Sequence, residues 1–262
     1  MKVFLTGASS GIGRAIAEAL TKAGHEVWGT SRDPARVPDL PRLHAVRLDL
    51  SDRASVQEAW NTALHAAGAF DVVINNAGGG HFGPAELLTS ETLDEQFRTL
   101  VIAQIELCNL AIASMRGPNR GLIINVTSLA ARLPVPFMAA YNAAKAAMAS
   151  FTMSLQLELG DTRIRIVDLQ PADISTGFND SIGQAATGDA RVDRTWRVVD
   201  KNMKEAPQPE IVARRVLELI VDDNPAPRVA VGGAFQAQVA PMIDRFLPQR
   251  VRLWGLKNYY GI

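Results

Sequence analysis

Apolar residues along this chain fall into short β-branched runs that alternate with stretches of helical spacing, the pattern of an α/β protein with a parallel sheet. The runs at 2–6, 25–30, 43–48, 71–74, 121–127, 163–169 and 228–231 predict seven strands. Between them, apolar positions recur every three or four residues. Ile16, Ala17, Leu20 and Ala23 mark a first helix, and Val56, Ala59, Trp60, Ala63 and Leu64 one face of a second over 53–66. Longer helices are predicted over 91–115 and from Met138 to about Leu159, the latter beginning where Pro134 and Pro136 stop disturbing the backbone, and a further one over 211–221. Two stretches break the alternation. Residues 177–209 are irregular and polar, with Phe178, Ile182, Trp196 and Met203 scattered through them, and read as a lid. The extension 235–262 mixes Phe246, Leu247, Trp254, Tyr259 and Tyr260 with four basic residues, and is expected to pack on the domain or on a neighbouring subunit rather than on a membrane.

Composition narrows the function classes. The chain has 262 residues, 47% hydrophobic and 21% charged, enough for one large core, and no linker or repeat divides it, so 1–262 reads as a single domain. Its formal net charge is zero, which gives no basic surface for nucleic acid. The single cysteine, Cys108, sits in an apolar helical run and excludes an intramolecular disulfide. No cluster reads as a metal site, and no uninterrupted apolar run reaches the ~18 residues of a membrane span. A cytoplasmic protein is expected.

Chemistry enters at the carboxyl ends of the predicted strands, where open α/β sheets place their ligands. After the first strand stands Gly7-Ala8-Ser9-Ser10-Gly11-Ile12-Gly13, directly before a helix. Glycines permit close backbone approach and a helix N-terminus favours an anion, so this loop is suited to pyrophosphate. At the end of the second strand, Ser31 occupies the place of the acid that grips an adenine ribose and Arg32 follows, which favours a 2′-phosphate and hence NADP(H) over NAD(H). Arg14 is a second candidate for that phosphate. Asp49 and Leu50 end the third strand where adenine would lie, with Ser51 or Asp52 left to cap the next helix. Asn75-Asn76-Ala77-Gly78 ends the fourth, its small residues allowing a ring to pass and its amides able to knit strands together. His81 and Phe82 follow as candidates to face substrate, together with Leu133, Phe137 and Phe178.

Ser128 ends the fifth strand, and Tyr141 and Lys145 lie one helical turn apart on one face. An ammonium so placed is expected to bias the phenol toward its anion, making a proton donor and acceptor from a group whose pKa is ordinarily about 10. A serine hydroxyl to hold an oxygen, with a tyrosine to move its proton, suits the interconversion of a carbonyl and an alcohol. Hydride then has to come from a nicotinamide. Pro171, Ile174 and Thr176, after the sixth strand, are expected to seal its site. The alanines at 143, 144, 146, 147 and 149 suggest a face for self-association.

Taken in order, Thr6-Gly7-Ala8-Ser9-Ser10-Gly11-Ile12-Gly13, Asn75-Asn76-Ala77-Gly78, Ser128, Tyr141-x-x-x-Lys145 and Pro171 resemble the short-chain dehydrogenase/reductase family over almost the whole length. The resemblance implies a single-domain Rossmann-type, doubly wound parallel sheet, a nicotinamide cofactor, and a homodimer or homotetramer built partly on the Tyr141 helix. It also implies that Lys145 holds the nicotinamide ribose. Length and the Leu133-Pro134 pair resemble the branch containing 17β-hydroxysteroid and retinol dehydrogenases, which implies a lipophilic ketone, aldehyde or alcohol. Two positions depart from the family pattern. Ala172 replaces the glycine usual after Pro171, and Leu100 stands where a relay asparagine is usual, with Gln104 one turn on as the local substitute and Asn109 on the opposite face. Leu100 keeps open an alternative, an NADP(H)-binding sensor with little turnover.

Overall fold

The computed structural model describes residues 1–184 and 187–262. Seven parallel strands form one sheet: β1 (Lys2–Leu5), β2 (Glu26–Ser31), β3 (Leu43–Arg47), β4 (Val72–Asn75), β6 (Gly121–Val126), β7 (Ile164–Pro171) and β9 (Arg228–Val231). Their order is β3-β2-β1-β4-β6-β7-β9. The chain moves outward in one direction from β1 and, after crossing back at β4, in the other, so a crevice opens above the carboxyl ends of β1 and β4.

Alternation along each strand feeds two cores. Val3 and Leu5 of β1, Val72 and Ile74 of β4, and Leu122 and Ile124 of β6 face α1 (Gly11–Lys22) and α7 (Glu210–Val221). Phe4, Val73 and Ile123 point the other way, to α2 (Arg53–Ala67), the 103–116 helix and the Tyr141 helix. On that second side Phe4, Trp60 and Phe70 meet with ring centroids 5.4–5.5 Å apart.

The predicted helix over 91–115 is present but not uniform. It runs as α3 (Ser90–Phe97), a π turn at Arg98–Ile102, and α4 (Ala103–Arg116), and the π turn contains Leu100. Length and composition alone would let Ser90–Arg116 cross a membrane, yet Leu107, Cys108 and Ala111 are fully buried against the sheet. The helix predicted from Met138 is α5 (Ala139–Glu158).

The segment 177–209 corrects the sequence reading. It is not irregular throughout: Asp189 caps α6 (Ala190–Glu205) by accepting from the Arg191 amide at 2.8 Å. A two-residue strand, β8 (Gly183–Gln184), pairs in parallel with β5 (His81–Phe82). The segment looked polar because α6 buries little more than Val192 and Thr195. Residues 185 and 186 of the expected lid lie outside the described residues. In the extension, a π turn at Phe235–Val239 leads to α8 (Ala240–Phe246) and α9 (Gln249–Tyr260). Tyr260 is buried, but Phe246 is 77% and Trp254 68% exposed, so most of these aromatic residues do not pack on their own domain.

Candidate active site

The loop after β1 forms a cradle whose shape depends on glycine. Gly7 has φ +73°, and a Cβ on Gly13 would lie 2.0 Å from the Gly7 carbonyl oxygen. Ser10 caps α1 without a side-chain bond, which leaves the first-turn N–H groups for a ligand. Ser9 is half-buried, Ile12 packs on the core, and Thr176 closes on the loop from the other side, its Cβ 3.4 Å from the point a Cβ on Gly11 would occupy. Thr6 Oγ1 accepts from the amides of Asn76 and Ala77 at 2.8 and 2.9 Å, and Asn76 Nδ2 donates to the Thr6 carbonyl at 3.0 Å. The two ligand-facing loops are thereby held as one surface. Such a cradle, with small residues and free helix N–H groups, fits a dinucleotide pyrophosphate.

At its far end Ser31 Oγ accepts from the Asp33 amide, and Asp33 turns back to cap Ala35 at 3.1 Å. The carboxylate next to Arg32 is therefore occupied locally. Arg32 is exposed and makes no ion pair among the described residues, although its charge reaches Asp49. Arg14, the other candidate, pairs with Glu18 at 2.8 Å on the surface of α1. Asp52 caps α2, and Asp49 Oδ1 accepts from Ser51 N and Oγ at 3.0 and 2.7 Å, which holds its carboxyl below the usual range. Leu50 buries its side chain in the core, as does Ile174 on the opposite face of the sheet.

Ser128, Tyr141 and Lys145 meet above β6. Ser128 Oγ accepts from the Ala130 amide at 3.0 Å, starting the short turn that leads toward α5, and it hydrogen-bonds the Tyr141 phenol. Asn142 fastens the intervening loop, its Nδ2 donating to the Val135 carbonyl at 2.8 Å. Lys145 is 4% exposed; its Nζ donates to the Val126 carbonyl at 2.9 Å and stands 5.8 Å from the centre of the Tyr141 ring.

The electrostatics differ from the sequence expectation. Burial pushes the Tyr141 phenol up to about 12, while the Ser128 hydrogen bond pulls it down and the charge of Asp173 adds to the rise. Burial also draws Lys145 down to about 8, partly opposed by Asp168. Losing water outweighs the lysine, which faces a carbonyl oxygen as well as the ring. The phenol is thus a firmly protonated donor.

Asp168 escaped the sequence reading because it lies within an apolar strand. It is 1% exposed, accepts from Thr127 Oγ1, from Gln170 Nε2 at 2.8 Å and from Arg228 Nε at 2.9 Å, and supplies the negative charge behind Lys145. A lone carboxylate in Ile164–Pro171 was the available signal. Asn125 was also missed: its Oδ1 accepts from Asn75 Nδ2 at 2.8 Å, joining β4 to β6 beneath the site.

Leu100 fills the space beside these groups. It is fully buried with Ala144, Met148 and Tyr141, and its Cδ2 lies 2.9 Å from where a Cβ on Gly78 would stand, a point 3.8 Å from Lys145 Nζ. Gln104 Nε2 donates instead to the Ala77 carbonyl at 3.0 Å, and Asn109 is exposed.

Over Tyr141 lies a separate apolar cluster of Phe82, Met138, Ile182 and Val192, with Phe137, Phe178 and Trp196 against it. The Phe178 ring is 5.8 Å from Tyr141. Phe82 is 1% exposed and packs on Trp196 at 4.9 Å, so it supports the wall from behind. His81 is half-buried in β5, and Leu133 is not part of this cluster.

The chain is similar to known proteins over almost its whole length. A sequence model described as short chain dehydrogenase matches residues 1–187. A 3-ketodihydrosphingosine reductase of Bacteroides thetaiotaomicron is 29% identical, covering 99% of this chain and 98% of its own. Among solved structures, a short-chain dehydrogenase from Streptomyces avermitilis superposes with TM-score 0.84 at 25% identity, covering 98% of this chain and 96% of its own. A short chain dehydrogenase/reductase from Burkholderia phymatum in complex with NAD superposes with TM-score 0.83 at 25% identity, covering 97% and 94%.

Proposed function

The chain belongs to the short chain dehydrogenase family, and from that premise we propose that it is an NADP(H)-dependent oxidoreductase interconverting a lipophilic ketone or aldehyde and its alcohol. The observation that carries this reading is the meeting of Ser128, Tyr141 and Lys145 on the crevice that also holds the glycine cradle. Bound there, a reduced nicotinamide supplies the hydride. The Gly7 to Gly13 loop and the first turn of α1 would hold its pyrophosphate, Arg32 the 2′-phosphate, Asn76 to Gly78 and Lys145 the nicotinamide side, and Pro171 to Thr176 its outer face.

Ser128 orients the substrate oxygen and Tyr141 gives it a proton in reduction, taking one back in oxidation. A phenol held protonated by burial is suited to the reductive direction. Lys145, charged below about pH 8, places its positive charge beside the phenol as the proton leaves.

The preference for NADP(H) rests on Arg32, which has no ion pair among the described residues, and on the self-engaged Asp33, since the solved relative from Burkholderia phymatum holds NAD. A lipophilic substrate is supported by the apolar cluster over Tyr141 and by the 3-ketodihydrosphingosine reductase among the relatives. Of the alanines expected to form a self-association face, Ala144 and Ala149 are buried and Ala147 packs against the Leu100 cluster, so self-association through α5 is supported instead by Met153 at 51% and Leu157 at 79% exposure, and Leu157→Asp would shift sedimentation toward the monomer.

The test is a panel of ketones, aldehydes and alcohols with both cofactors, followed at the nicotinamide absorbance. Turnover of lipophilic carbonyls with NADPH ahead of NADH supports the proposal. Cofactor binding without oxidation across the panel rejects it in favour of a sensor.

A further inference from the structure

One carboxylate outside the Ser128, Tyr141 and Lys145 group is held against the same crevice by residues from separate parts of the chain. Asp173 stands two residues beyond β7, and its Oδ2 accepts from Gln236 Nε2, on the 235–239 π turn, at 2.7 Å. The same amide nitrogen reaches the Tyr259 hydroxyl at 3.2 Å, and that hydroxyl also accepts from Asn202 Nδ2, on α6, at 2.8 Å. The end of α9 is further tied to α6 by Arg194 Nε, which donates to the Gly261 carbonyl at 3.1 Å. Lid and extension therefore converge on Asp173, and its charge reaches both Tyr141 and the buried Tyr260.

No cation among the described residues neutralises this group. Among the described residues no lysine or arginine pairs with Asp173, and Oδ1 has no hydrogen-bond partner; a neutral amide on Oδ2 is all that faces it. Asp173 is half-buried, burial raises its carboxyl, and a cation at Oδ1 would offset that cost. Nor does it serve proton transfer, because a negative charge beside Tyr141 opposes formation of the phenolate. The chain has built, next to its proton donor, a place that lacks only a positive partner.

We propose that Asp173 receives the ammonium group of the substrate, making the enzyme selective for amino ketones and amino alcohols over neutral analogues. The inference rests on the oxidoreductase reading and names the substrate class of that site. Gln236, with Tyr259 and Asn202 behind it, is a positioning residue that holds Oδ2 and leaves Oδ1 for an ammonium.

The test compares a long-chain α-amino ketone with the isosteric α-methyl ketone at pH 6.5, using NADPH and either the wild type or Asp173→Asn. A charge-assisted bond of this kind is expected to give the wild type a roughly 10- to 100-fold preference in kcat/KM for the amino ketone, carried mainly in KM. Asp173→Asn is expected to remove that preference and Asp173→Glu to restore part of it. Calorimetric binding of a vicinal amino alcohol against its deoxyamino counterpart gives the same comparison without turnover. No preference in the wild type, or equal losses on both substrates in Asp173→Asn, would overturn the proposal; equal losses would mark the residue as a tether for the extension. Reduction of the neutral ketone by the wild type reports on the oxidoreductase reading separately.

Discussion

The Lys145 ammonium donates to the Val126 carbonyl at 2.9 Å, so the lysine is anchored to the strand that delivers Ser128. Burial brings its pKa from 10.5 to about 8 in the folded protein. Between these values the unfolded chain binds more protons than the native one. The contribution of Lys145 to stability therefore rises with pH from about 8 to 10.5 and is flat on either side. Melting curves across this range should show that rise in the wild type and lose it in Lys145→Met. In the reductive direction kcat/KM should fall as pH passes about 8 and the charge beside Tyr141 is lost. A profile that stays level to pH 9.5 would remove Lys145 from the proton-transfer account.

Arg32 supplies the next expectation. With Asp33 turned onto Ala35, the Arg32 guanidinium stands just past the end of β2, where a 2′-phosphate would lie. Arg32→Ala should raise the KM for NADPH by roughly 10- to 100-fold and leave that for NADH within a factor of about three. Equal changes with both cofactors would show that the arginine does not discriminate between them.

Ala172, in the place of the family glycine, is accommodated by its neighbour. Gly232 has φ +153°, and a Cβ there would lie 2.4 Å from the Ala172 Cβ. Gly232→Ala should cost about 2–4 kcal/mol in denaturant unfolding, and adding Ala172→Gly should recover only part of it, because the backbone strain remains. Full additivity in that double-mutant cycle would mean that the two positions do not touch.

Leu100 separates stability from turnover. It is fully buried against Gly78 and the Tyr141 helix, so Leu100→Asn should lose about 2–4 kcal/mol of stability. If leucine weakens proton supply to Lys145, the same variant should raise kcat in the reductive direction. Unchanged or lower kcat in a folded variant would show that the proton reaches Lys145 without a polar group at this position.

The strands, the glycine loop and the Ser128, Tyr141 and Lys145 group were legible because each depends on local pattern: period-two burial, glycine spacing, or one helical turn. What stayed hidden depends on contacts between distant segments. Asp168 read as part of an apolar strand until Thr127, Gln170 and Arg228 closed on it. The π turn around Leu100 leaves no trace in apolar spacing, and it placed Gln104 on the Ala77 carbonyl rather than at Lys145. α6 was missed because its few buried residues scarcely register as an apolar face. The direction of the Tyr141 shift was misjudged for a related reason, since spacing shows which residues are neighbours but not how much water burial removes.

The most direct measurement on the whole account is Tyr141→Phe, assayed for NADPH oxidation with a reducible carbonyl and, in parallel, for NADPH binding by fluorescence. The phenol is the proton donor, and its removal leaves the glycine cradle untouched. Turnover should fall by about 10³-fold or more with NADPH affinity changed less than about threefold. Retention of wild-type turnover by the phenylalanine variant would contradict the assignment of this site.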